Sequence, residues 1–234
     1  MTASTDTAGS GEAAGRPAPV RLLLVGAAVL VALALALWVL ATPGSGAGKP
    51  SSAEPPAVGS ADAGFARDMA VHHQQAVEMS FIVRDRTGDE EVRRLAYDIA
   101  NTQASQRGML LGWLDLWGLP KVSPDGGYMA WMGGSHEHDH GDDGRTANSG
   151  ALMPGMATDA ELDRLRKAQG KDAEVLYLQL MTAHHMGGID MASACAQQCE
   201  VPVERSLAQG MVDAQESEMT LMANLLRARG SAPR

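Results

Sequence analysis

The sequence predicts an all-α protein: a four-helix bundle made from two copies of one helical hairpin, preceded by a single transmembrane helix. Three observations carry this expectation. Sliding the chain against itself so that His72 meets His184 aligns two long segments without a gap. Within each copy, apolar residues recur at helical spacing. Upstream of both, Leu22 to Leu40 forms an uncharged apolar run.

Composition bounds the rest. The 234-residue chain has 4% aromatic residues and fourteen methionines, so its core must rest on Leu, Val, Ala and Met. A formal net charge of −9 argues against nucleic acid as a partner, because phosphate binding needs clustered Lys and Arg.

Residues 1–21 are rich in Thr, Ser, Ala and Gly and read as a disordered cytoplasmic tail. Residues 22–41 follow as a membrane anchor, since about twenty apolar residues span a bilayer core. Arg16 and Arg21 precede the span and Lys49 follows it, which places the N-terminus in the cytoplasm and the remainder outside. A cleaved signal peptide is the alternative, with Val39-Leu40-Ala41 as its cleavage site. The export is the same in both readings. Residues 42–61 are a Pro/Gly/Ser linker, and the duplicated domain occupies 62–230.

The first hairpin spans 62–118. Phe65, Met69, His72, Ala76, Met79 and Val83 form the seam of its first helix. Leu95, Ile99, Thr102, Gln106, Met109 and Trp113 form that of its second. Thr87-Gly88-Asp89 supplies the turn, with Gly88 suited to a helix C-cap. An insert at 119–158 carries Met129, Met132, His136, His138, His140, Met153 and Met156. A short helix then begins at Thr158 with a capping-box pattern and runs to about Lys167. The second hairpin, within 159–230, repeats the seams as Tyr177, Met181, His184, Gly188, Met191 and Cys195, then Leu207, Met211, Ala214, Glu218, Leu221 and Leu225. Cys195 and Cys199 are awkwardly spaced for a disulfide on a continuous helix, but Pro202 allows the helix to end between them. A disulfide or inert pair fits them better than a ligand role, because Val83 and Thr87 replace them in the first copy.

On a helix, residues 69, 72, 73, 76 and 79 share one arc of about 120°. Reversal of each hairpin at its turn sets Gln103 level with His72 and Gln215 level with His184. Each copy should therefore hold two His beside one or two of Gln103, Gln106, Gln215 and Glu218, bordered by thioethers. Imidazole and thioether together favour copper, Cu(I) in particular. Met69, His72, His73, Met79, Met181, His184, His185 and Met191 are the candidate ligands. His136, His138 and His140, beside Asp139, Asp142 and Asp143, form an accessory candidate site. The competing reading is a buried His–Gln network that only fixes helix register, with Met as gap-filling core. Di-iron chemistry is disfavoured, because the Glu-x-x-His pattern occurs only at Glu137–His140, in the loop. No Ser or Cys nucleophile sits in a recognisable setting with a base.

The motifs Met69-Ala-Val-His72-His73-Gln-Gln-Ala-Val-Glu-Met79 and Met181-Thr-Ala-His184-His185-Met-Gly-Gly-Ile-Asp-Met191 resemble those of the bacterial "domain of unknown function 305" family, as does Met153-Pro-Gly-Met156. The resemblance covers about residues 62–228. It implies a ferritin-like four-helix fold, an exported or membrane-anchored location and, for some relatives, copper binding and copper tolerance. It also implies ligand roles for the eight His and Met residues, with Met153 and Met156 as accessories. The cysteines and the acidic His-rich insert depart from it. The expected function is a membrane-tethered, extracytoplasmic copper binder that buffers or delivers the ion and catalyses nothing. A structural or partner-binding bundle is the alternative, and a copper-dependent oxidoreductase a third.

Overall fold

The computed structural model describes residues 54–124, 127–132 and 150–233. The tail, the apolar run 22–41, most of the linker and the His136/His138/His140 loop lie outside the described residues. Among the described residues there is no strand, and no helix is long and apolar enough to cross a membrane.

Helix α1 (Ala61–Arg84) starts where the Ser60 side chain accepts a hydrogen bond from the Ala63 N–H, satisfying a donor that the first turn leaves free. All six residues of its expected seam are fully buried. The turn after α1 differs from expectation. Its C-cap is Asp85 in a right-handed conformation, and Gly88 does not adopt a positive φ. Side chains shape the reversal instead: the Thr87 hydroxyl accepts from the Asp89 N–H, and Asp89 accepts from Glu91 and Val92 to start the next helix. Helix α2 (Glu90–Trp117) ends at Gly118, whose φ of 68° is the left-handed conformation that glycine tolerates.

The short α3 (Asp159–Lys167) has the expected capping box between Thr158 and Glu161. Helix α4 (Gly170–Gln198) stops just before Cys199, which turns extended and is disulfide-bonded to Cys195. Helix α5 (Pro202–Ala228) begins with Pro202 in its first turn, where the missing N–H costs nothing. Asp62 of α1 reaches across to accept from the Glu200 and Val201 N–H groups at this junction.

Helix α1 packs along α2 and α4 along α5, and the two hairpins meet chiefly through α1 against α4. The expected seams of α1 and α4 are buried throughout. Those of α2 and α5 are corrected. Leu95 and Ile99 are buried, but the buried face then passes through Gln103, Leu110 and Leu114, while Thr102 and Met109 are exposed. In α5 the buried line is Glu204, Ala208, Met211, Gln215, Met222 and Leu225/Leu226, with Leu221 exposed. The α5 row keeps the four-and-three spacing at a different phase, and the α2 row shifts already at Gln103, so the face that turns inward is set by the helices it packs against.

Candidate metal centre

The first and second halves of the site come from α1 and α4, which run antiparallel. Ser80 meets Tyr177 across the interface, His72 meets His184, and Asp62 meets Glu200. The His72 and His184 rings lie face to face at the crossing, with centroids 3.8 Å apart and planes tilted by 33°. His73 and His185 are the flanking members. All four imidazoles are fully buried, and the contact of His72 with His184 joins the two pairs into one cluster.

Hydrogen bonds settle the tautomers. His184 donates Nε2–H to the His72 carbonyl at 2.9 Å, and His185 donates Nε2–H to Glu218 Oε2 at 2.6 Å. His73 Nε2 pairs with Gln106 Oε1 at 2.9 Å, again as donor to an oxygen. In His73 and His184 the proton on Nε2 leaves a lone pair on Nδ1, and the Nδ1 atoms of His73, His184 and His185 are buried without a partner. His72 has neither nitrogen hydrogen-bonded; the Pro154 carbonyl lies near its ring and only weakly favours protonation. An imidazole held through one nitrogen with the other unpaired is the usual state of a metal-ligating histidine.

Burial keeps His72, His73 and His184 neutral. Loss of solvent is the main cause that pushes His72 and His73 down to about 3, and neighbouring imidazoles add to it. His184 is lowered well below its ordinary value, first by burial and then by His72 and His185. Neutral rings offer lone pairs without competition from protons.

The thioethers group differently from the sequence pattern. Met69 and Met181 are equivalent by duplication, as are Met79 and Met191. Antiparallel packing exchanges the partners. Met69 and Met191 share one apolar cluster with Met153, Met156 and Met211, whereas Met79 and Met181 share the other with Leu95, Ile99 and Tyr177. The Met153–Met156 turn is pinned between the hairpins. Gln75 both donates to the Ala157 carbonyl and accepts from its N–H, and Pro154 seats against Gly187, where a Cβ would come within 2.2 Å of the Pro154 carbonyl. Neither Gln75 nor Gly187 was singled out from the sequence; the paired Gly187-Gly188 inside a helix was the available signal.

Gln103 and Gln215 are buried as expected, yet Gln106 and Glu218 make the contacts to histidine. Both Gln103 amide atoms and Gln215 Oε1 lack partners. The four imidazoles are not closed around a single point. Among the described residues, the group of three or more His, Cys, Asp or Glu ligand atoms lying within 4.8 Å of one another is Asp62, Cys199 and Glu204. A cation at the histidines would therefore draw on one or two imidazoles. The donor set, with its unpaired buried Nδ1 atoms, suits a soft ion of low coordination number.

Fold and site together define an all-helical bundle protein with a buried histidine cluster at the contact between its hairpins. The chain belongs to the DUF305 family (domain of unknown function), whose model matches residues 62–226. A DUF305 protein of Streptomyces coelicolor, inferred to be secreted, is 62% identical in a match covering 76% of this chain and 99% of that one, with a TM-score of 0.67. A DUF305 fragment from Deinococcus radiodurans is 28% identical over 70% of this chain and 94% of that one, with a TM-score of 0.55. CopM in its Cu(I)-bound form shares the fold, at 21% identity over 71% of this chain and 96% of that one, with a TM-score of 0.53. No curated protein matches the chain.

Proposed function

We propose that this protein binds copper, chiefly as Cu(I), at the histidine–methionine centre, and buffers or delivers it outside the cytoplasm without catalysing a reaction. The observation that carries the reading is the trio of buried imidazoles held through Nε2 with Nδ1 unpaired. Met69, Met191, Met153 and Met156 supply soft donors on one side, and Met79 and Met181 on the other. Gln106 and Glu218 hold His73 and His185 in orientation. The fold shared with CopM, whose structure is known in Cu(I)-bound and Cu(II)-bound forms, supports the same reading. Export is supported by the Cys195–Cys199 disulfide, the apolar run at 22–40 and the secretion inferred for the Streptomyces coelicolor relative. The acidic His136/His138/His140 loop is an accessory cation site in this reading.

Titration of the full-length chain with Cu(I) against a competing chelator tests it. The wild type should hold Cu(I) far more tightly than a His72→Ala/His184→Ala double variant, and equal affinities would overturn it. The spread of the imidazole nitrogens favours a second reading, in which the cluster only fixes the register of α1 against α4. Under that reading Cu(I) leaves the melting temperature unchanged, whereas a specific ligand must raise it.

A further inference from the structure

At the end of the bundle remote from α3, the α4–α5 junction brings together Asp62, the Cys195–Cys199 disulfide and Glu204, with ligand atoms of Asp62, Cys199 and Glu204 all within 4.8 Å of one another. Glu204 is completely buried, and the polar group its carboxyl meets is the Asp62 side chain. Two buried carboxyl groups side by side are a costly arrangement that a cation would relieve. Asp62 is differently placed, because it accepts from the Glu200 and Val201 N–H groups and is thereby fixed toward Glu204. Burial, and then the Asp62 carboxylate beside it, push Glu204 up to about 9, so it carries a proton at neutral pH. With the sulfurs joined, the cluster offers oxygen donors only.

We propose that reduction of Cys195–Cys199 turns this junction into a second metal site, a thiolate–carboxylate site for a divalent ion of the zinc class. The ligands are Cys199, Glu204 and Asp62, completed by Cys195. The chemistry balances with a dithiol as reductant: the protein disulfide takes up two electrons and two protons to give two thiols, and the dithiol becomes its cyclic disulfide. The incoming cation then displaces both thiol protons and the Glu204 proton. Two sulfurs and two carboxylate oxygens match the tetrahedral donor set that zinc accepts. The site is separate from the imidazole cluster and shares no ligand with it.

Co(II), a spectroscopic stand-in for zinc, tests the proposal on the full-length chain. After reduction by a dithiol and its removal without air, Co(II) should produce thiolate-to-metal charge-transfer absorption in the near ultraviolet. The oxidised chain should give none, whatever Co(II) does at histidines. Glu204→Gln replaces the protonated acid with a neutral isostere, so it should fold, which circular dichroism checks. It should lower Co(II) affinity in the reduced protein by about tenfold or more. No charge-transfer band in a reduced protein that keeps its helical circular dichroism would overturn the proposal. So would a band of unchanged affinity in Glu204→Gln. Because the band reports thiolates alone, the result does not depend on whether the histidines bind copper.

Discussion

The two hairpins are copies in sequence and differ in how they use equivalent positions. Gln75 of α1 and Gly187 of α4 occupy the same place in the repeat, and both touch the turn at 153–157. The first grips it with a side-chain amide, and the second makes room for it by having no side chain. Gln106 and Glu218 are likewise equivalent, and each orients the second histidine of its pair, one as a neutral amide and the other as a carboxyl group. At the centre, His184 donates to the His72 carbonyl, while the His72 ring donates to nothing. Duplication supplied two similar faces. Packing them against each other and around one turn made them unequal.

The largest effect expected from this arrangement is on pH. In the unfolded chain His72 and His73 titrate near the ordinary 6.5, and in the folded protein at about 3. Between those values the unfolded state binds more protons, so stability is full above about pH 6.5 and falls as pH drops toward 3. Glu204, raised to about 9, acts in the opposite sense, so the comparison belongs in a Glu204→Gln background. Urea midpoints measured without metal at pH 7.5 and 4.5 should differ strongly; equal midpoints would contradict the neutral, buried cluster.

Next in size is the contrast between the two central histidines. Both truncations leave a cavity, and His184→Ala should cost about 3 kcal/mol. His72→Ala should cost about 1 kcal/mol less, because no hydrogen bond of its ring is lost. Thermal denaturation of the pair measures the difference, and the reverse order would break the asymmetry.

Adjacent glycines sharpen the comparison further. Gly187→Ala meets the Pro154 carbonyl, a backbone atom, and should displace the 153–157 turn at a cost of about 2 kcal/mol. Gly188→Ala meets only the end of the Gln215 side chain, which can swing away, so less than about 1 kcal/mol is expected. Chemical denaturation gives the costs. Under the copper reading, Gly187→Ala should also weaken Cu(I) binding, because Met153 and Met156 move with the turn.

The smallest effect on the fold falls at the orienting residues. Glu218→Gln keeps an acceptor for His185 but removes the carboxylate's charge, and should weaken Cu(I) binding about tenfold while leaving the melting temperature nearly unchanged. Gln106→Ala should do less, since the amide it removes is neutral. Chelator competition on both variants ranks the hairpins as ligand donors.

Much of this was legible in the chain. The seams of α1 and α4, the capping box at Thr158 and the helix end before Cys199 all follow from local periodicity and capping chemistry. The inward faces of α2 and α5 lie one residue off the expected seams, because the helices they pack against decide which face turns inward. The turn at Thr87–Asp89 was assigned to its glycine when two side chains hold it.

Sequence alone determined that four long helices exist, that they form two copies of one hairpin, and which rows of α1 and α4 go inside. Each of these depends on residues within a few turns of one another. Only the tertiary structure decided that α1 and α4 pack antiparallel, which exchanges the methionine partners across the duplication and joins two histidine pairs into one cluster. It also placed Pro154 on Gly187 and Glu204 beside the disulfide. Such contacts join segments far apart in the chain, and their register is set by how whole helix faces fit together, which no local pattern records.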